Sequence, residues 1–252
     1  MSLKFKRIFL LFVYVLLACT VVYILKPVYL VSVLLVLVPP ALVNFWWLKK
    51  SRVKVFLFCL IALALFAPPV ELAARLTDAW DVQSVLPRLF GIAPLENLLF
   101  AFLNFFWVLS FYEYFVDKDT GAKISRRLKI LTGLFVVLST VTYSLFFYQP
   151  NFIALNYHAL AVVTLLIPGL IIFVHRPRLL RKTLIPILFF AVVFFVYEYV
   201  ALAVGNWWWP GDYLFPITLA GKVFPLDDVI IWYFLSTPVL IGGYEFFADD
   251  DK

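Results

Sequence analysis

Long apolar runs separated by short polar stretches recur along the whole 252-residue chain. A helical membrane span needs about 20 apolar residues. The pattern predicts about eight of them, near 8–25, 28–48, 53–73, 95–116, 128–148, 152–174, 183–204 and 226–247. Strand-type alternation with regular turns is missing, which argues against a membrane barrel. The expected fold is therefore an all-α, polytopic membrane protein. The adjacent Pro39 and Pro40 make the second run the weakest of these, because a proline inside a helix removes a donor and crowds the preceding turn.

Composition leaves the class unchanged and adds an orientation. The chain is 65% hydrophobic and 14% charged, with a mean hydropathy of +1.00, more apolar surface than a soluble domain of ordinary size can hide. The net charge of +6 matters through its placement. Lys4, Lys6 and Arg7 precede the first run; Lys49, Lys50, Arg52 and Lys54 follow the second. Lys118, Lys123, Arg126, Arg127 and Lys129 follow the fourth, and Arg176, Arg178, Arg181 and Lys182 the sixth. The alternate loops hold only Lys26, Arg75, Arg88 and Lys222. The positive-inside rule then places the chain in the cytoplasmic (inner) membrane with both termini in the cytoplasm. Basic residues so dispersed give no reason to expect nucleic acid as a partner. The first apolar run continues past Cys19 to Leu25, which suits a span better than a cleaved signal. Cys19 and Cys59 both fall inside apolar runs and read as core thiols.

The two halves echo one another. Glu71 is followed nine residues later by Trp80, and Glu198 nine residues later by Trp207. Pro94-Leu95-Glu96 corresponds to Pro225-Leu226-Asp227, and Tyr112-Glu113 to Tyr244-Glu245, at offsets of 131 and 132 residues. Ordered correspondences of this kind predict two tandem four-helix repeats, 1–117 and 118–252. An even number of spans per repeat inserts both the same way up, so a pseudo-two-fold along the membrane normal would relate them.

Five carboxyl groups then fall near one face of the membrane: Glu71, Glu96, Glu198, Asp227 and Asp228. A carboxylate at a helix centre costs roughly 2.5–3.5 kcal/mol on insertion scales. Glu71 and Glu198, well inside apolar runs, must face a partner or stay protonated. Glu96 and Asp227 each stand two residues after a proline at a helix start, where free N–H groups favour the anion. Capping alone accounts for many such acids. Two differing environments are nevertheless what a general acid and a general base require. Trp80 and Trp207 are candidates for a substrate surface, since aromatic faces stabilise cations, and the remaining tryptophans read as an interfacial belt. Glu113 and Glu245 read as interfacial anchors, the acidic tail from Asp249 as solvated, and His158 as a core histidine.

No glycine-rich dinucleotide turn, phosphate loop, metal-spaced Cys/His cluster, aspartate-rich diphosphate motif or nucleophile elbow occurs. No cofactor and no metal are expected. What is left is acid–base chemistry on a lipophilic molecule.

The duplicated pattern Glu…Trp…Pro-x-[Glu/Asp]-[Glu/Asp], carried by Glu71, Trp80, Pro94-Leu95-Glu96-Asn97 and by Glu198, Trp207, Pro225-Leu226-Asp227-Asp228, resembles that of the heterodimeric-type carotenoid lycopene cyclases. This chain is similar to a fused version of their two subunits. The resemblance implies a redox-neutral cyclisation of a linear polyene end group in the bilayer, without a cofactor, in the company of carotenoid-pathway enzymes. It carries Glu96, Asp227 and Asp228 over as acid/base candidates, with Glu71 and Glu198 as their repeat-paired partners. Asn97 departs from the pattern, standing where the family usually has a second acid, so the halves are expected to split roles. The alternatives are a related membrane terpene or meroterpenoid cyclase, or a proton-coupled carrier or lipid-binding membrane protein.

Overall fold

The computed structural model describes residues 3–119, 121–149, 159, 161–211, 213–226 and 229–249. Among them, seven helices are long and apolar enough to cross a membrane, and an eighth apolar stretch, Val162–His175, is shorter. The chain is mostly helical, with short strand pairs at one end of the bundle.

The helices are α1 (Leu3–Leu25), α2 (Tyr29–Trp47), α3 (Arg52–Leu76), α4 (Leu95–Phe111), α5 (Arg127–Tyr148), α6 (Ile167–His175), α7 (Pro177–Val204) and α8 (Ser236–Phe247). Three of them adjoin π-helical turns: Tyr112–Asp117 extends α4, Val162–Leu166 leads into α6, and Val229–Leu235 leads into α8. Pro39 and Pro40 lie inside an unbroken α2, and Pro68 and Pro69 inside α3 just before Glu71. The expected weakness at the second run does not become a break, because neighbouring helices pack around α2. Pro177 opens α7 at a position where a missing N–H costs nothing, and Gly205 ends it in the left-handed conformation.

Helices α2 and α3 pack on α4, α1 packs on α7, and α7 and α6 pack on α8. Close approach of α6 and α8 depends on Gly242, where an added Cβ would come within 2.8 Å of the Ile172 side chain. The outer surface is apolar, with Leu10, Leu17, Ile24, Val137, Ile171 and Leu188 all exposed, as suits a surface that faces lipid.

The two ends of the bundle differ. At one, the strand end, β1 (Asp81–Val82) pairs antiparallel with β4 (Trp207–Trp208), placing Asp81 opposite Trp208 and Val82 opposite Trp207. Hairpin β2–β3 (Arg88–Leu89, Ala93–Pro94) leads into α4, and hairpin β5–β6 (Pro216–Leu219, Lys222–Pro225) ends two residues before Asp227. The Ala220-Gly221 turn of the second hairpin has positive φ at both positions, the geometry that matches strand twist in a tight hairpin. The other, basic end carries the turn before α3, the end of the π-helical extension of α4, and the start of α7.

Candidate functional site

The C-terminal turns of α3 carry Glu71, and the loop after them folds back over it. Asp81 holds that fold: its Oδ1 lies 2.7 Å from Arg75 Nη1 and 3.4 Å from Arg88 Nη2. Partial burial works against the Asp81 anion. The Arg75 hydrogen bond, the Val82 N–H and the two guanidinium charges outweigh it, and the carboxyl is held below its usual range. Trp80 is thereby set above Glu71, and its Nε1 donates to Glu71 Oε2 at 3.0 Å. From the first turn of α4, Asn97 Nδ2 donates to Glu71 Oε1 at 2.9 Å. Glu71 is buried. The structure thus brings together three residues singled out from the sequence, Glu71, Trp80 and Asn97.

Glu96 has another set of partners. Its Oε1 accepts the backbone N–H groups of Val85 and Leu86, each at 2.6 Å, and its Oε2 accepts the Ser84 hydroxyl at 2.9 Å. It is fully buried and pins loop 84–86 onto the start of α4. This is the anion-favouring setting expected at a helix start, though most of its donors come from the loop. Tyr29, also buried, is close enough to interact electrostatically with both Glu71 and Glu96.

In the second half, Glu198 is fully buried on α7. Trp207 in β4 meets Tyr29, Phe100 and Tyr197 edge-on, with ring centroids 5.6, 5.9 and 5.6 Å away. Its Nε1 has no hydrogen-bond partner among the described residues, unlike that of Trp80. The aromatic set continues around Trp80, which lies edge-on to Trp232 at 5.7 Å and to Trp209 at 6.4 Å. The Tyr213 hydroxyl donates to the carbonyl of Ala79. A cavity of about 560 Å³ opens beside this set, lined by Trp207, Trp208, Trp209, Tyr213, Lys222 and Pro225 among others. Its size is within the range of small-molecule sites. Asp227, Asp228 and His158 lie outside the described residues.

Sequence reasoning passed over Trp232 and Tyr29. For Trp232 a signal existed: it follows Asp228 by four residues, about one helical turn. Tyr29 carried none, since its role comes from a contact between helices distant in sequence.

A second group of acids sits at the basic end, where two expectations need correcting. Glu113 and Glu245 were expected to anchor at the interface, and Asp249 to be solvated; all three are buried. The Tyr112 hydroxyl donates to Glu245, and the Tyr244 hydroxyl donates to Glu113. Lys54 Nζ, fully buried, lies 2.7 Å from Asp249 Oδ1 and 3.3 Å from Glu113 Oε1. Lys182 Nζ lies 2.8 Å from Asp117 Oδ1. Burial explains the difference: a charge this deep must be paired, and each finds its partner across the bundle. Carboxylate oxygens of Glu113, Asp117 and Asp249 come within 4.8 Å of one another, but the Lys54 ammonium already supplies a cation to two of them.

No protein-family model, curated protein or solved structure matches this chain. The chemistry therefore has to be read from the groups themselves. The strand end offers a buried carboxyl held by two donors, electron-rich aromatic faces, and a cavity whose described lining includes Trp207 and Trp209 but neither Glu71 nor Trp80.

Proposed function

We propose that this chain is an intramembrane cyclase of the lycopene-cyclase type, acting on the end group of a linear polyene. A carboxylic acid protonates the terminal double bond, the neighbouring double bond attacks the resulting tertiary cation and closes the ring, and a carboxylate removes one proton to set the ring alkene. The proton gained equals the proton lost, so the step needs no oxidant or reductant.

The observation that carries this reading is Glu71, buried with one oxygen held by Trp80 and the other by Asn97. An oriented carboxyl beside tryptophan faces is what cation chemistry on a hydrocarbon demands. Glu198, with Asp227 and Asp228 from the same half of the sequence, supplies the complementary acids. Glu96 acts by shaping the loop that carries Trp80 toward Glu71. Asn97, which departs from the family pattern, serves as the donor that fixes Glu71.

The reading includes a tandem duplication of a four-helix unit. Its support is reciprocity: Tyr112 with Glu245 answers Tyr244 with Glu113, and Lys54 with Asp249 answers Lys182 with Asp117. Contacts exchanged in this way are what a two-fold-related pair makes. The basic end faces the cytoplasm by the distribution of Lys and Arg, which puts the cyclisation site towards the opposite leaflet.

The test is expression in cells that accumulate lycopene, with pigments separated by chromatography. Ringed product from the wild type and linear pigment from Glu71→Gln at equal membrane abundance are expected. Linear pigment from an abundant wild type would remove lycopene as the substrate. Undiminished ringed product from Glu71→Gln would remove Glu71 from the site.

A further inference from the structure

A second cavity, of about 820 Å³, lies at the basic end, where α1 begins and α2 and the extension of α4 finish. Lys4, Arg7, Trp47, Lys49, Tyr114 and Lys118 line it, together with Trp46 and Asp119. It lies at the opposite helix ends from Glu71 and Glu96, and nothing in the proposed chemistry uses it.

Its charge is unbalanced. Among the described residues, four cationic side chains and one acid line it, and that acid is already engaged. Asp119 accepts the backbone N–H groups of Lys49, Lys50 and Ser51 and the Ser51 hydroxyl, at 2.6 to 3.1 Å. The guanidinium carbon of Arg7 lies over two aromatic rings, 4.5 Å from the centre of Trp47 and 5.3 Å from that of Tyr114. The cation–ring contacts hold it without using its N–H groups, and no carboxylate pairs with it among the described residues. Lys4 Nζ donates to the carbonyls of Tyr114 and Phe115 at 3.0 and 3.2 Å, which leaves one of its three N–H donors. Lys4 and Lys118 are near enough to repel each other. An anion between them would relieve that repulsion.

The position favours one source of anion. α1 and α2 are both candidate membrane spans, so the cavity lies where helices leave the hydrocarbon. Trp46 at its rim is 76% exposed, and Phe5 and Leu42 nearby are exposed as well. Tryptophan at that depth marks the headgroup boundary, and basic pockets between membrane helices suit lipid phosphates. We infer that this cavity binds the phosphate headgroup of an anionic membrane lipid, with Arg7 as the donor fork, Lys4, Lys49 and Lys118 as supporting charges, and Trp46 against the upper acyl chain. The inference stands apart from the cyclase reading.

The experiment is thermal melting of the detergent-purified full chain, titrated with phosphatidylglycerol, phosphatidylcholine or inorganic phosphate. Phosphatidylglycerol should raise Tm saturably, and phosphatidylcholine should not. Arg7→Gln and Lys118→Gln should each weaken the apparent affinity about fivefold, while Lys6→Gln, an exposed change outside the cavity, should leave it unaltered. Lys118 is exposed, so its variant keeps the test decisive if loss of the Arg7 ring contacts impairs folding. Equal shifts from the two lipids would overturn the site. Inorganic phosphate reproducing the shift at equal concentration would overturn the lipid as source. An equal loss in Lys6→Gln would reduce it to diffuse surface charge.

Discussion

At the basic end, Tyr112 donates to Glu245 and Tyr244 donates to Glu113, each bond mirrored by the other. At the strand end, Glu71 accepts from Trp80 and Asn97, while Trp207, nine residues after Glu198 as Trp80 is nine after Glu71, finds no partner for its Nε1 among the described residues. Both regions bury carboxyl groups between helices; among the described residues, the tyrosine–glutamate bonds at the basic end are mirrored and the tryptophan contacts at the strand end are not. Balance suits a joint: contacts exchanged equally hold two packed units in one register. Imbalance suits chemistry, because a proton donor and a proton acceptor cannot have the same surroundings. Under the proposed cyclase reading, the basic end is the joint of the bundle and the strand end its reaction chamber.

Removing the acid function where the balance is broken should have the largest effect. Glu71→Gln is expected to cut cyclisation about 10²- to 10⁴-fold, the usual contribution of a positioned proton-transfer group. The amide retains one acceptor and must leave one of the two N–H donors unsatisfied, so a stability loss of about 1–3 kcal/mol accompanies it. Trp80→Phe removes a donor and keeps an aromatic face. If positioning is the role of that hydrogen bond, ringed product per folded protein should fall, alongside a stability loss of about 1.5–3 kcal/mol for a donor removed from a buried carboxyl group. An equal fall for Trp207→Phe would erase the distinction between the halves at this end.

Breaking the joint comes next, and it should be read in stability. Lys54→Met leaves Glu113 and Asp249 buried without their ammonium, a change expected to cost about 3–5 kcal/mol. Adding Glu113→Gln and Asp249→Asn to Lys54→Met should recover part of the lost Tm, because the uncompensated charges go too. A triple variant no more stable than the single would mean that Lys54 acts through packing.

Symmetry itself can be measured on a smaller scale. Tyr112→Phe and Tyr244→Phe each remove one hydroxyl donor to a buried carboxyl group, worth about 1.5–3 kcal/mol. The two losses should be of similar size if the two units are equivalent. A twofold or larger disparity in their effect on Tm would show that the joint is lopsided and weaken the case for a repeated unit.

The spans were legible because the bilayer imposes a length, and no tertiary contact can substitute for about 20 apolar residues. The matched Glu-Trp and Pro-x-acid spacings likewise led to Glu71, Trp80 and Asn97, which do meet. Partners were harder to read. Nothing local told that Glu96 would be used by the backbone of residues 84–86, or that Asp249, in an acidic tail, would turn inward to Lys54. Composition describes an average environment, whereas a buried charge is decided by one neighbour contributed from far along the chain. The repeated Tyr-Glu pairs did hold the clue to the basic end: if two units meet about a two-fold, a tyrosine beside a glutamate in each can exchange partners across it.

The smallest expected effect concerns the loops that close each end. Asp81, between Arg75 and Arg88, and Asp119, among the N–H groups of residues 49–51, are both held below the usual carboxyl range. For each, burial works against the anion and the hydrogen bonds outweigh it: from Arg75 and Val82 at Asp81, and from Ser51, Lys49 and Lys50 at Asp119. A carboxyl group whose folded pKa is depressed binds protons more weakly folded than unfolded. Its contribution to stability is therefore complete above the unfolded value, about 3.9, and is lost as pH falls through the folded one. Melting temperatures at pH 7 and pH 3 should differ more for the wild type than for Asp81→Asn or Asp119→Asn. Both groups are partly open to solvent, so each is worth at most about 1 kcal/mol. The two variants should nonetheless differ in consequence. Asp81→Asn loosens the loop that sets Trp80 over Glu71 and should lower ringed product, whereas Asp119→Asn loosens a turn at the joint and should leave cyclisation unchanged. Equal losses of product from both would mean that the ends of the bundle are coupled, and the division between joint and chamber would fail.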